Sequence, residues 1–424
     1  MDIANITFSG IQILPPPPIY TFGTIPSSID EGNSGTFNVI TYNEVPDGTT
    51  LYWTINHGTT ASADFSASSG SFTVTGYLGS FSITALADIL TEGSQTFTVQ
   101  IRTGSTSGTV VATSSSVTIN DTSTAPPATT AQFLVVAGGG AGGSRYNAGG
   151  GGAGGLLVGT TSISSGKSYT ITVGAGGSVT YDVNTIGNNG GVNYRGNNSV
   201  LSGSGLTTQT AIGGGGGGSY QTASGGNQSG GAGGSGGGAS GYGRTDADKG
   251  TPTSGQGNYG GRGAKVGGAE GGGYSGAGGG GAGGVGTNGA ASKGGDGGGG
   301  ILWTDGNWYA GGGGGAVYCP AYSTAHIKGY GGIGGGGDGE QLTSTSHPST
   351  DPSTSGAANT GGGGGGVSGY YLQQRQPGDG GSGIVVIRYA DSYPAATGTT
   401  GSPTYTVSGG FRTYRFTSSG TISF

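Results

Sequence analysis

The chain offers few side chains that could carry acid–base or metal chemistry. Its 424 residues include 14 Lys and Arg, 20 Asp and Glu, 3 His and 1 Cys. A rigid pair of carboxylates could cleave glycosidic bonds, but no pair is singled out among the available candidates Asp296, Asp305, Asp338 and Glu340. We therefore expect no catalytic residues, and we expect a protein that is not an enzyme.

Two patterns that bind phosphate or metal in other proteins carry no such meaning here. Matches to G-x-G-x-x-G occur from Gly149 onward, but glycine is frequent enough to produce them by chance, and no helix follows. The residues His57, His326, His347 and Cys319 share no metal-ligand spacing. Because the formal net charge is −6, a nucleic-acid partner is not expected either.

Aromatic side chains interrupt the glycine-rich part of the chain and could make contacts. Their flat faces add rigid contact area at a low entropic cost. In one interpretation they contact an external glycan or protein; in the other they plug the sides of a glycine bundle or touch neighbouring subunits. Within the first cluster, Asp305-Gly306-Asn307 is also typical of a hairpin turn. The candidates for contact are Trp303, Trp308, Tyr309, Tyr318, Tyr370 and Tyr371.

Taken along the chain, the first elements of regular structure are short β-strands predicted in residues 20–123. Apolar residues recur there with a period of two, as in Phe37, Val39 and Thr41, and the sets are separated by Gly, Asn, Ser and Asp. About seven short strands in about a hundred residues are typical of a two-sheet β-sandwich. No segment has a helical apolar stripe, so we expect an all-β fold.

Five motifs in this region resemble a Calx-β domain. They lie at 29–32, 63–65, 69–72, 87–97 and 117–121. The resemblance implies an Ig-like sandwich with calcium ligands at one end, although Gln95 stands where the family carries a second acid. Calcium prefers six to eight oxygens; alternatively, the acids only form turns beside glycine. The residues concerned are Glu31, Asp64, Asp88 and Asp121.

Glycine is concentrated in one block. Of the 108 glycines, 91 lie in residues 133–389. This block contains runs at 213–218, 311–315 and 361–366, and it is bracketed by short apolar segments at 133–136 and 384–387. Such apolar segments are typical of buried strands.

Glycine runs allow two outcomes. An isolated run loses much backbone entropy on ordering and would stay a disordered linker. Alternatively, extended threefold helices without Cβ atoms can pack at backbone distance and satisfy one another's hydrogen bonds. The flanking strands favour ordered polyglycine-II helices. Residues 405–424 return to strand patterns that could complete the same framework.

The segment from residue 133 to residue 424 resembles glycine-rich modules of bacteriophage tail fibres and other virion surface proteins, especially those of cyanophages. The matching pieces lie at 133–143, 149–159, 169–177, 380–389 and 411–424. The module is also similar to that of anaplastic lymphoma kinase-type receptors, which implies a jelly-roll-like β framework with inserted polyglycine-II helices. The resemblance implies a non-catalytic protein on the virion surface, a tail fibre or adhesin for host attachment. Alternatives are a capsid decoration or head-fibre protein, and a cellular surface adhesin.

These observations divide the chain into five segments. We predict an N-terminal arm with a polyproline spacer at 1–19, a Calx-β-like sandwich at 20–123, a linker at 124–131, a glycine-rich module at 132–390 and completing strands at 391–424. The apolar arm either docks onto another virion protein as an added strand or stays disordered. The fibre resemblance implies a homo-oligomer, with a trimer favoured. Neither a signal peptide nor insertion into a membrane is expected.

Overall fold

The structure, a computed structural model, describes residues 16–43, 45–88, 92–123, 127–179, 194–220, 228–265, 274–318, 326–342, 351–369 and 375–424. The chain divides into two units, Met1–Pro126 and Pro127–Phe424. Among the described residues there is no α-helix, and the prediction of an all-β fold is confirmed. The arm at 1–15, Cys319, Tyr370 and Tyr371 lie outside the described residues.

The described part of the first unit has nine strands. They are β1 Ile19–Phe22, β2 Ser28–Asp30, β3 Ser34–Tyr42, β4 Thr50–His57, β5 Ser69–Thr73, β6 Leu78–Thr84, β7 Gln95–Thr103, β8 Val110–Thr113 and β9 Val117–Asn120. One sheet has the order β1-β3-β6, and the other has the order β2-β9-β7-β4-β5 with β8 paired to β7. The strands β2 and β9 are parallel, whereas the other pairs are antiparallel.

Alternating side chains of these strands form an aromatic core. In β3, Phe37 and Val39 are fully buried while the residues between them are less so. The ring of Phe81 stacks on Phe37 with centroids 5.4 Å apart and on Trp53 with centroids 5.1 Å apart. The period-two pattern therefore predicted a sandwich because one face of each strand is buried.

The second unit contains a framework of longer strands and several two-residue strands. They are β10 Thr130–Val136, β11 Leu156–Ser162, β12 Ser168–Thr172, β13 Ser199–Gly203, β14 Gln209–Ala211, β15 Ala264–Lys265, β16 Tyr274–Ser275, β17 Ile301–Leu302, β18 Trp308–Tyr309, β19 Val317–Tyr318, β20 Gln341–Leu342, β21 Ile384–Ala390, β22 Gly398–Thr399, β23 Thr404–Ser408, β24 Phe411–Phe416 and β25 Gly420–Ser423. Two five-stranded sheets have the orders β11-β10-β21-β24-β23 and β14-β13-β12-β25-β22. The C-terminal strands therefore enter both sheets.

The strands β10 and β21 are apolar throughout because both of their faces are covered. Phe133 and Val135 point into a core shared with the second five-stranded sheet. Leu134 and Val136 point into a different core, formed with Ile384 and with residues of the glycine-rich part. A strand with two buried faces has a continuous apolar run rather than an alternating one.

On this second face lies a bundle of extended glycine runs. Along residues 138–143 the N–H groups point in three directions in turn. The first and fourth donate to segment 194–197, the second and fifth to 378–381, and the third and sixth to 149–152, at 2.8–3.0 Å. A repeat of three residues with bonds on three sides is the geometry of a threefold extended helix. The described runs are thus ordered, and the alternative of a flexible linker is wrong for them.

The run 149–154 repeats this pattern in the middle of the bundle. Its N–H groups donate in turn to runs 213–218, 276–281 and 361–366. At most positions the spacing leaves no room for a side chain, since a Cβ added at Gly151 would lie 2.1 Å from the carbonyl oxygen of Gly140. Alanine is accommodated at a few positions, such as the fully buried Ala153 of the same run. The core of the bundle is therefore a lattice of backbone hydrogen bonds, and glycine is required for steric reasons at positions such as Gly151.

Candidate functional site

The cluster of aromatic residues at 303–309 forms a hairpin against the strand framework. The strands β17 and β18 pair, and the N–H of Trp303 donates to the carbonyl of Asn307 at 2.9 Å. Gly306 has φ of +82°, a left-handed conformation that favours glycine in the turn. The predicted turn at Asp305-Gly306-Asn307 is confirmed.

An ion pair ties this hairpin to strand β24. The Arg415 guanidinium contacts the Asp305 carboxylate, and it also donates to the Tyr309 hydroxyl at 2.6 Å. That hydroxyl donates to Asp305 Oδ2 at 2.8 Å. Burial, followed by the hydrogen bond to Asp305, raises the pKa of Tyr309 to about 12. Burial opposes ionisation of Asp305, but the hydrogen bonds from Tyr309, Asn307 and Arg415 outweigh it and lower the pKa of that carboxyl.

The aromatic side chains of the hairpin have different environments. Trp303 is 8% exposed and Tyr309 is 2% exposed, and both belong to the core beside β10 and β21. The Arg388 guanidinium lies 5.2 Å from the Trp303 ring and 4.2 Å from the Phe411 ring. Because Trp303 and Tyr309 are buried, the structure favours the interpretation in which they pack within the protein over contact with an external partner. Trp308, 41% exposed, remains a candidate.

Four tyrosines from four different runs meet at the other end of the bundle. The ring centroids of Tyr220 and Tyr242 are 3.7 Å apart, and those of Tyr242 and Tyr274 are 4.3 Å apart, with nearly parallel planes. Tyr146 meets Tyr220 edge-on at 5.9 Å. The Lys265 ammonium lies 5.5 Å from the Tyr274 ring. We call Tyr146, Tyr220, Tyr242 and Tyr274 the tyrosine stack.

Hydrogen bonds place the tyrosine stack at one level of the bundle. The N–H of Gly149 donates to Gly218, and that of Gly241 donates to Asn147. The run 138–143 begins directly after β10 and ends just before Tyr146. At a rise of about 3.1 Å per residue, its six residues separate the framework from the stack by about 19 Å. The bundle thus has one end covered by strands and one end covered by tyrosines.

Tyr318 also lies at the tyrosine end. It is half-buried and faces Tyr274 in the register of β16 and β19. Nearby, Glu340 is only 1% exposed, accepts the Ser368 N–H at 2.8 Å and forms an ion pair with Arg375. Burial lowers the pKa of Arg375. The members of the tyrosine stack were missed from sequence, although each lies within three residues of the end of a glycine run.

Two of the four candidate acids of the first unit, Asp64 and Asp121, accept backbone hydrogen bonds in turns and loops. Asp64 Oδ2 accepts the N–H of Ala61 at 2.7 Å. The carboxylate of Asp121 accepts the N–H of Gly93 at 2.7 Å and that of Ser123 at 3.0 Å. These backbone bonds, foremost that from Gly93, lower the pKa of Asp121.

Ser123 contacts the carboxylate of Glu31 and the backbone of Asp88. The hydroxyl of Ser123 donates to Glu31 Oε2 at 2.5 Å and to the carbonyl of Asp88 at 2.8 Å. Within the described ranges, no three His, Cys, Asp or Glu residues are grouped so that they could hold a metal ion. The geometry favours the turn-forming interpretation over calcium ligation.

We expect removal of calcium to leave the stability of the protein unchanged. A resident ion at a free concentration of 100 times its Kd would add about 2.7 kcal/mol to the free energy of unfolding. Thermal unfolding with EDTA, and again with added CaCl₂, measures this difference. A midpoint that falls in EDTA and recovers with calcium would contradict this expectation and show that the folded protein binds calcium.

The family described as "Glycine-rich domain" matches residues 112–390. The chain belongs to the glycine-rich domain family. The matched region of this glycine-rich domain starts in β8 of the first unit and ends with β21, so it includes the whole bundle and the hairpin.

Two solved structures are similar to part of the chain. One is the apo form of the Calx CBD1 domain, at 16% identity and a TM-score of 0.21, over 24% of this chain and 96% of that chain. The other is CBD12 from CALX1.2, at 16% identity and a TM-score of 0.20, over 34% of this chain and 74% of that chain. These are weak structural similarities to Calx-β domains. A comparison with curated proteins finds no match.

Among the residues that the structure describes, no helix combines the length and the apolar character needed to cross a membrane.

Proposed function

We propose that this glycine-rich domain protein is a non-catalytic structural protein of a virion surface, of the tail fibre or adhesin type, that takes part in host attachment. The observation that carries the proposal is the difference between the two ends of the bundle. One end is built into a strand framework with hydrophobic cores. The other end carries the half-buried rings of Tyr220, Tyr242, Tyr274 and Tyr318 and the exposed Lys265, while Tyr146 is buried against Tyr220.

The chemistry of the tyrosine end suits contact rather than catalysis. Tyrosine gives large amphipathic contact area with few rotatable bonds, and the stacked rings are already ordered before a partner arrives. The lattice beneath them is held by backbone bonds, so the platform is rigid. In this proposal the apolar N-terminal arm binds other virion proteins, the chain forms a homo-oligomer, and the tyrosine end faces a glycan or protein of the host.

A capsid decoration or head-fibre protein is the second candidate, and a cellular surface adhesin is the third. A rigid surface with few charges suits all three candidate roles, because each role needs a protein with one anchored end and one exposed end. The first candidate is favoured by the resemblance of the strand and glycine motifs to phage tail fibres. Its distinctive expectation is that the chain competes with particles for the cell surface.

Two measurements on the same preparation test the proposal. Gold-labelled antibody against the chain is imaged on intact particles, and purified chain is added to host cells before particles are allowed to adsorb. We expect label on the tail and reduced adsorption. Label on the head with normal adsorption would favour the decoration role, and particles without label would contradict a virion function.

A further inference from the structure

A cleft opens on the side of the bundle, formed by three segments of residues 246–288. It has a volume of about 570 Å³, and its lining includes Asp246, Lys249, Tyr259, Val285 and Asn288. None of these residues belongs to the tyrosine stack or to the hairpin. The cleft combines one aromatic ring, one aliphatic side chain, two opposite charges and one amide.

The aromatic side of the cleft is open to solvent. Tyr259 is 51% exposed and Val285 is 60% exposed. Large apolar side chains that remain exposed at a concave site are more informative than exposed apolar residues scattered singly. The backbone of Tyr259 is held in place, because its carbonyl accepts the N–H of Gly286 at 2.9 Å.

The polar side of the cleft presents both acceptors and donors. Asp246 Oδ1 lies 2.8 Å from Lys249 Nζ and 3.7 Å from Arg262 Nη1, and the carboxylate side chain is 74% exposed. The hydrogen bond and charge of Lys249 lower the pKa of Asp246, so this acceptor is ionised at neutral pH. Asn288 Oδ1 accepts the backbone N–H of Arg262 at 3.0 Å, which orients the amide so that its NH₂ group is a donor.

The floor of the cleft is preformed by the lattice. The N–H of Gly260 donates to Gly250 at 3.1 Å. A Cβ at Gly260 would lie 2.0 Å from the carbonyl oxygen of Gly237. The backbone at the floor of the cleft is therefore packed directly against the backbone of the neighbouring run. Little ordering is needed on binding, and a preorganised site loses less free energy to entropy.

We propose that this cleft binds one pyranose residue of a polysaccharide, with Tyr259 against the C–H face of the ring. Asp246 accepts hydrogen bonds from adjacent hydroxyl groups, while Asn288 and Lys249 donate to ring substituents. An exposed flat ring beside ionised and amide groups is suited to a ligand with one apolar face and a rim of hydroxyls. The inference rests on the proposed function only for the source of the polysaccharide, a host surface.

The test uses the full chain and a panel of methyl hexopyranosides, including glucose, galactose, mannose and glucuronate derivatives. Saturation-transfer NMR detects which glycosides contact the protein, and titration gives their Kd values. We expect at least one glycoside to bind, and we expect Tyr259→Ala to weaken it about tenfold or more, equivalent to about 1.4 kcal/mol. Tyr259→Phe keeps the ring and should bind like the wild type.

Two further variants distinguish binding in the cleft from binding to exposed tyrosines elsewhere on the surface. Asp246→Asn is expected to weaken binding, because one charged acceptor is replaced by a mixed donor and acceptor. Tyr330→Ala removes another tyrosine that is 51% exposed and does not line the cleft, so binding should be unchanged. Absence of binding across the panel, or equal affinity for Tyr259→Ala and wild type, would overturn the inference.

The outcome is independent of the test of the proposed function. A chain that binds glycosides through Tyr259 but carries no label on particles supports the cleft and contradicts the virion role. A chain that blocks adsorption equally well with Tyr259→Ala, and binds no glycoside, contradicts the cleft alone.

Discussion

Replacing Gly298 with alanine is expected to lower the free energy of unfolding of the second unit by about 3 kcal/mol, whereas the same change at Gly299 leaves it equal or slightly higher. A Cβ at Gly298 would lie 2.1 Å from the Gly284 carbonyl oxygen and 2.6 Å from the Gly281 nitrogen. Both are backbone atoms, so two chain segments must separate and lose hydrogen bonds. At Gly299 the nearest atom is Ile333 Cγ2, at an ordinary 3.6 Å.

The two variants form a matched pair because they differ by one position in the same run. Alanine restricts the unfolded chain more than glycine does, which stabilises the folded state by about 0.4–1 kcal/mol where space allows. If Gly298→Ala lowers the free energy of unfolding, the cause is therefore the clash of its Cβ with the backbone of the neighbouring segment. Urea unfolding of both purified variants, followed by circular dichroism, measures the difference. Equal stabilities would show that the packing of the runs tolerates side chains.

Changing Asp305 to asparagine is expected to destabilise the second unit by about 3 kcal/mol at pH 7, because it leaves the partly buried Arg415 without a charged partner. Asparagine keeps the shape of the side chain but removes the charge and offers one acceptor oxygen instead of two. The same change weakens the bond that holds the Tyr309 hydroxyl. The hairpin should loosen from β24, with faster hydrogen exchange in β17 and β18.

The lowered pKa of Asp305 determines how the destabilisation by Asp305→Asn changes with pH. Folding lowers the pKa of Asp305, so its contribution is present above the unfolded pKa, about 3.9, and is lost as pH falls through the lower folded value. The difference in stability between wild type and Asp305→Asn should therefore be full at pH 7 and shrink below about pH 4. Denaturant unfolding at pH 7 and pH 3 measures it. A difference that does not change with pH would contradict the charged role of Asp305.

Tyr309→Phe removes one hydroxyl and leaves the contact between Asp305 and Arg415 in place. We expect a smaller loss of about 1–2 kcal/mol at pH 7. This loss should also shrink as the pH falls below about 4, because the hydrogen bond from Tyr309 helps to lower the pKa of Asp305. If Tyr309→Phe were as damaging as Asp305→Asn, the hydroxyl rather than the ion pair would hold the hairpin.

Sequence patterns predicted the strands and the glycine lattice because both depend on local rules. The alternation around Phe37 indicates one buried face, and the absence of Cβ atoms in runs such as 361–366 permits threefold packing. The turn at Gly306 was also predictable, since glycine is favoured at positive φ.

The environment of the aromatic residues was not predictable in the same way. Trp303 and Tyr309 are buried because Arg388 and Arg415, from strands far along the chain, cover them. The tyrosine stack brings together four residues from distant runs, and the hydrogen bonds of the lattice determine which of these residues lie side by side. A single sequence does not reveal which runs are neighbours.

The lattice around Gly151 also changes what unfolding releases into water. In an ordinary domain, melting exposes mainly hydrocarbon, and the heat capacity rises by about 12–15 cal/mol/K per residue. Here the separated runs expose amide groups and almost no hydrocarbon, and polar exposure lowers the heat capacity. The free energy of unfolding of the bundle therefore depends less on temperature than that of a hydrophobic core of equal size, and it decreases less on cooling.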